Sequence, residues 1–144
     1  MDDQRELIDD LVKEIKTIQI ELKIIVDTQL KAPRMDKNLF EKFGQFIDRI
    51  YGTATTLGFS EVGKYFLAIK TISYLSSQCE REIGQKKALR MMIECVENIE
   101  KICSSIYSKE DLKNLNRTLF TVEIAKVDRL TRSDFQNITR KSVA

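Results

Sequence analysis

The chain has 144 residues, 42% of them hydrophobic, with 24 Lys and Arg against 22 Asp and Glu. That is the size and make-up of one ordinary globular domain. Five Gly and one Pro are too few for the turns of a β-sandwich or barrel. The net charge of +2, with both signs interleaved, lacks the basic stripe of a nucleic-acid binder. The absence of histidine excludes Ser-His and Cys-His pairs, imidazole zinc ligands and phosphohistidine chemistry.

The opening "MDDQRELIDD" is acidic and has no apolar core, so no signal peptide is expected. Nor does any apolar run reach the roughly 18 residues of a membrane span. The three cysteines show no metal-type spacing and read as reduced thiols. A cytoplasmic protein with no membrane contact, metal or cofactor is expected.

Residues Asp3 to Lys31 read as one long helix. Ile8, Leu11, Ile15, Ile18, Leu22 and Ile25 keep three-four spacing, and Leu7, Val12 and Val26 widen the stripe. Pro33 in "KAPRMDKN" ends it. Ile20 and Ile24 lie off this seam and would need cover.

A second helix runs from Asp36 to Leu57, with Leu39, Phe43, Phe46, Ile50, Ala54 and Leu57 inward and Phe40, Ile47 and Tyr51 beside them. Gly58 supplies its stop. Ser60 opens a third helix to Arg81, carrying Val62, Phe66, Ile69, Ile72 and Leu75 or Ser76, and Gly84 marks the next turn. The fourth, Lys86 to Tyr107, carries Leu89, Met92, Val96, Ile99, Ile102 and Ile106. Ser108 caps a fifth through Leu112, Leu115, Leu119 and Val122. "FTVEIAKV" alternates well enough for a strand but has no second strand to pair with. "RSDFQNITRKSVA" reads as a frayed or mobile tail.

Short loops make successive helices antiparallel neighbours. The expectation is an all-α, antiparallel up-down four-helix bundle over residues 1–115. A partly helical or mobile extension follows at 116–144. The cations of that extension (Arg117, Lys126, Arg129, Arg132, Arg140, Lys141) are diluted by Glu123, Asp128 and Asp134 and read as a solvated surface.

One stretch stands apart: "DRIYGTATTLGF", Asp48 to Phe59. It resembles the phosphotransfer motif of histidine-containing phosphotransfer (HPt) domains, closest in style to that of chemotaxis kinases. That motif runs His-x-hydrophobic-Lys-Gly, then small residues, then hydrophobic-Gly. Ile50, Gly52, Thr53, Ala54, Thr55 and Leu57-Gly58 fill matching positions. The family fold, an antiparallel helical bundle with the motif on its second helix, agrees with the helix reading over residues 3–107. Two positions depart. Asp48 stands where the family has its phosphorylatable histidine, and Tyr51 where it has lysine. The resemblance therefore implies a pseudo-HPt domain.

At about 100° per residue, Asp48, Gly52 and Thr55 point away from the Leu39–Leu57 stripe. A glycine inside a helix costs about 1 kcal/mol against alanine. Gly52 either lets two helices of this fold pack closely or leaves a flat spot for a partner. Asp48, ionised at neutral pH, is a solvated surface group, an interface-rim charge, or a fixed negative charge imitating part of a phosphohistidine. Tyr51 faces either a partner or the core. Phe59, Tyr65 and Phe66 read as core.

The expectation is a non-catalytic module of two-component signalling. Asp48, Arg49, Tyr51, Gly52, Thr55 and Thr56 would dock a response-regulator receiver domain or related signalling protein without accepting phosphate. The alternative is a structural or adaptor bundle acting through self-association, a homodimer among the options, or through another protein.

Overall fold

The computed structural model describes residues 2–135. Its helices are α1 (Asp2–Lys31), α2 (Lys37–Thr56), α3 (Ser60–Ser77), α4 (Glu82–Ser105), α5 (Lys109–Leu115) and α6 (Thr121–Asp134). A π-helical turn, Asn116–Phe120, joins the last two. The fold is all-α, with no strand among the described residues. Nor is any helix among them long and apolar enough to cross a membrane.

Local chemistry explains several helix ends. Past Lys31 the chain breaks at Pro33 and restarts at Asp36, whose carboxylate accepts from the Asn38 amide at 2.9 Å. The Gln29 side chain bridges the same corner, donating to the Asp36 carbonyl and accepting from its amide, each at 2.9 Å. That satisfies a buried amide and ties the end of α1 to the start of α2. Ser108 caps α5 by accepting from the Asp111 amide at 3.2 Å.

α1 packs on α2 and α4, and α3 packs on α2, α4 and α6. One core runs through them all, from Leu11 and Ile15 in α1 to Val127 and Leu130 in α6. The α1 seam is buried as the spacing predicts at Leu11, Ile15, Ile18, Leu22 and Ile25. Ile20 and Ile24, off that seam, are 64% and 54% exposed.

On α2 the buried line is Phe40, Phe43, Ile47, Ile50 and Ala54, whereas Leu39, Phe46 and Leu57 are only partly covered. The core direction is thus rotated toward the residues expected at the stripe's edge. The reason is α3, which packs closely against that side of α2.

α3 is buried on more than one face: Val62, Tyr65, Phe66, Ile69, Ile72, Ser73, Leu75 and Ser76 are all covered. A helix apolar nearly all round must be enclosed, and α6 supplies the enclosure that α2 and α4 leave open. The extension expected at 116–144 therefore joins the shared core through Phe120 and Phe135, both fully buried. Residues 136–144, with Arg140 and Lys141, lie outside the described residues.

Three local expectations are corrected. α3 ends at Ser77, short of Arg81, and α4 begins at Glu82. Gly84 consequently sits inside α4 instead of in a turn. A Cβ there would lie 3.2 Å from Asp134 Cβ and 3.4 Å from the Phe135 ring, so this glycine admits the end of α6. The "FTVEIAKV" segment, which alternates but has no strand to pair with, is helical, and the third departure is in its phase. The π turn inserts one residue into the helical phase, so Phe120 and Val127 turn inward while Val122, expected inside, is exposed.

Candidate functional site

The stretch "TLGF" at the end of α2 is a helix stop with a specific geometry. Gly58 has φ of +87°, a left-handed conformation open to glycine at little strain. Its amide donates to the Thr55 carbonyl at 3.0 Å, and the Phe59 amide reaches back to the Ala54 carbonyl at 2.9 Å. These paired bonds form a Schellman cap, satisfying carbonyls that the helix end would orphan. Gly58 is thus explained by chain geometry alone.

Gly52 is different. It is exposed, and a Cβ built on it would meet nothing within 4 Å. Close packing between helices of this fold is therefore not its role. That part belongs to two other glycines on the α2–α3 seam. A Cβ on Gly44 would lie 3.2 Å from the Tyr74 ring and 3.3 Å from Ser73 Cβ, and one on Gly63 would lie 2.7 Å from Thr55 Oγ1.

Two of the three threonines in "DRIYGTATTLGF", Thr53 and Thr56, are engaged through their hydroxyls. Thr56 Oγ1 donates to the Gly52 carbonyl at 2.8 Å. Thr53 Oγ1 sits 3.1 Å from the Arg49 carbonyl and 3.0 Å from Glu14 Oε1 on α1. These back-bonds satisfy hydroxyls that would otherwise compete with the helix.

Asp48 does not stand free. Its carboxylate lies 2.9 Å from Lys70 Nζ on α3, with the lysine side chain 20% and the aspartate side chain 49% exposed. Lys70 in turn lies 5.8 Å from the Tyr51 ring centroid and 6.0 Å from that of Tyr74, both within cation–π range. Tyr74 is pushed up from its ordinary pKa by partial burial and by the Asp48 and Glu41 charges, with Lys70 pulling the other way. Tyr51 is partly buried and packs on the core, so it serves the core and borders the surface at once.

The expected site residues therefore separate into two groups. Asp48, Gly52 and Thr56, spaced four apart, share the outward side of α2, and Arg49 joins them three positions before Gly52. Arg49 is exposed and holds its guanidinium 5.9 Å from the Phe46 ring. Tyr51 and Thr55 lean toward α3 instead. Thr55 is exposed, but it meets Gly63 on its α3 side, which corrects the expectation that it points wholly away with Asp48.

Lys70 and Tyr74 complete the patch and were missed. They come from α3, more than twenty positions away, and no local spacing announces them. Gly44 and Gly63 carried a usable signal: glycines within a helical pattern mark a close approach or a functional surface.

The patch is a shallow surface of a lysine-paired carboxylate, two tyrosine rings, an arginine and a bare backbone spot. Its groups suit contact with another protein. Compared with known proteins, the chain matches no family model, no curated protein and no solved structure.

Proposed function

We propose that the chain is a non-catalytic, HPt-like docking module of cytoplasmic two-component signalling. In this reading α1 to α4 form an antiparallel up-down four-helix bundle. Supporting it, Gln19 Nε2 donates to the Val96 carbonyl and Tyr107 donates to Asp9, so positions rise along α1 as they fall along α4. The outward face of α2 (Asp48, Arg49, Gly52, Thr56), bordered by Tyr51 and Thr55, receives a response-regulator receiver domain and accepts no phosphate.

The observation that carries this reading is Gly52. The helix bears a residue costing about 1 kcal/mol relative to alanine, and nothing inside the fold needs the space. A partner's close approach is a physical reason for it, and the HPt-like register supplies the partner class. Asp48 is acceptor-only when ionised and paired with Lys70, which fits docking without transfer.

The test is a binding titration against receiver domains encoded in the same genome. Binding to at least one is expected, weakened at least tenfold by Gly52→Arg, whose side chain projects into open space and leaves the fold intact. No radiolabel should pass from a phosphorylated receiver to this chain. Binding to no receiver, or binding untouched by Gly52→Arg, would remove the proposal.

A second reading, self-association along α1, is favoured by the exposure of Ile20 and Ile24. It requires a dimer that Ile20→Ser with Ile24→Ser dissociates in light scattering.

A further inference from the structure

A groove of about 520 Å³ lies where the end of α1 and the α1–α2 corner meet the start of α4. Its apolar lining comes from Leu30, Met35, Leu89 and Ile93. Its charged lining is Arg34, Lys86 and Arg90 against a single carboxylate, Glu82. Glu82 is already 3.4 Å from Lys86. Among the described residues, no carboxylate pairs with Arg34 or Arg90. Both guanidiniums are exposed, and their planar fork suits carboxylate recognition. The groove asks for an acidic segment that also carries a bulky apolar side chain.

The other end of α1 has that chemistry. Along its first turns Asp3, Glu6 and Asp10 are exposed, and they surround Leu7, itself half exposed. At i−4 and i+3, Asp3 and Asp10 are neighbours of Leu7 on the helix surface, and Glu6 adds to the acidity of the same turn. The two surfaces cannot meet within one molecule. They sit at opposite ends of a helix of 30 residues, about 45 Å long at ~1.5 Å per residue.

We propose that the Arg34–Arg90 groove receives the acidic, Leu7-bearing start of α1 from a second copy of this chain. The contact is heterologous, head to tail, so a free groove on one copy and a free α1 start on the other remain to extend the assembly. Leu7 enters between Leu30, Met35, Leu89 and Ile93, while the flanking carboxylates meet the arginines. Such a contact belongs to the small, weak class of interfaces, and its strength depends on salt because its charges are exposed.

Sedimentation of the full chain tests this. Average mass should rise with concentration past the dimer at about 0.1 M salt and return to the monomer near 1 M, where the screening length falls to about 3 Å. Two variants then separate the halves: Arg34→Glu with Arg90→Glu removes the groove, and Leu7→Asn with Asp10→Asn removes the acidic, apolar α1 start without creating a charge that the altered groove would attract. Each alone should stay monomeric. Mixed in equal amounts they should form a one-to-one complex that grows no further, because one intact groove meets one intact α1 start. That reconstitution also establishes that both variants fold. A wild type monomeric at every concentration, association surviving in either variant, or a mixture that fails to associate overturns the proposal. Receiver binding through α2 is unaffected by either outcome.

Discussion

Lys70 Nζ on α3 lies 2.9 Å from Asp48 Oδ1 on α2, so the carboxylate beside Gly52 is held by a neighbouring helix. Lys70 is mostly covered and Asp48 about half exposed, which places the pair between a surface and a buried ion pair. Water still screens the aspartate, and the coupling stays near the surface range of about 0.2–1 kcal/mol. A double-mutant cycle on Asp48→Ala and Lys70→Ala, read by urea unfolding, should return that value and a smaller one at high salt. Lys70→Ala alone should raise the Tyr74 pKa further, because it removes the one nearby charge that lowers it. Ultraviolet titration of the phenol checks the direction.

The glycines of this chain should respond oppositely to alanine. Gly52→Ala places a methyl in open space on a helix and should stabilise the fold by about 0.5–1 kcal/mol. Gly44→Ala presses on the Tyr74 ring and Ser73. It should destabilise by about 1–3 kcal/mol as overpacking. Gly58→Ala forces a side chain into φ of +87° at a cost of about 1–2 kcal/mol. Equal shifts in thermal midpoint for all of them would contradict this division.

The final helix should be integral to folding. Phe120 stacks on Tyr65 with centroids 5.0 Å apart, and Phe135 is fully buried beside Gly84. Phe120→Ala or Phe135→Ala should each cost about 3–5 kcal/mol in chemical denaturation. A chain cut after Leu115 uncovers one side of α3 and should lose cooperative unfolding. A truncated chain that melts like the full one would show residues 116–135 to be dispensable.

Alkaline pH should weaken the fold. Burial pushes the Cys95 thiol from 9.0 up to about 12, and burial together with the Cys95 charge raises Tyr65 well above 10.0. For both groups the folded state holds its proton more tightly than the unfolded chain. Their stabilising contribution is therefore complete below about pH 9 and is lost as pH rises from there toward the folded values. Urea midpoints should hold steady up to about pH 9 and fall above it. Thiol-reactive dye should label Cys95 in the native protein slowly, at the rate of unfolding.

The helices were legible because amphipathic spacing is a property of a continuous segment. The α1 seam, the Asp36 region and the Gly58 stop could all be read locally, since caps and stops depend on neighbours within a few positions. The limit shows at Val122. A regular phase carried from Leu112 through Leu119 turns it inward, but the π turn shifts that phase by one residue. Gly84 misled for a related reason: a glycine admitting another helix and a glycine in a turn look alike in one dimension.

At the candidate site, the sequence by itself placed Asp48 and Gly52 on the outward side of α2. It also set the absence of any histidine and the unusual presence of Gly52 on that face. Tertiary structure decided what those residues touch. It paired Asp48 with Lys70, turned Thr55 toward Gly63, set Tyr51 on the edge of the core, and left the space above Gly52 empty. The physical reason is that helical phase orients a side chain about its own axis, whereas the neighbour it meets depends on how separate helices cross and pack.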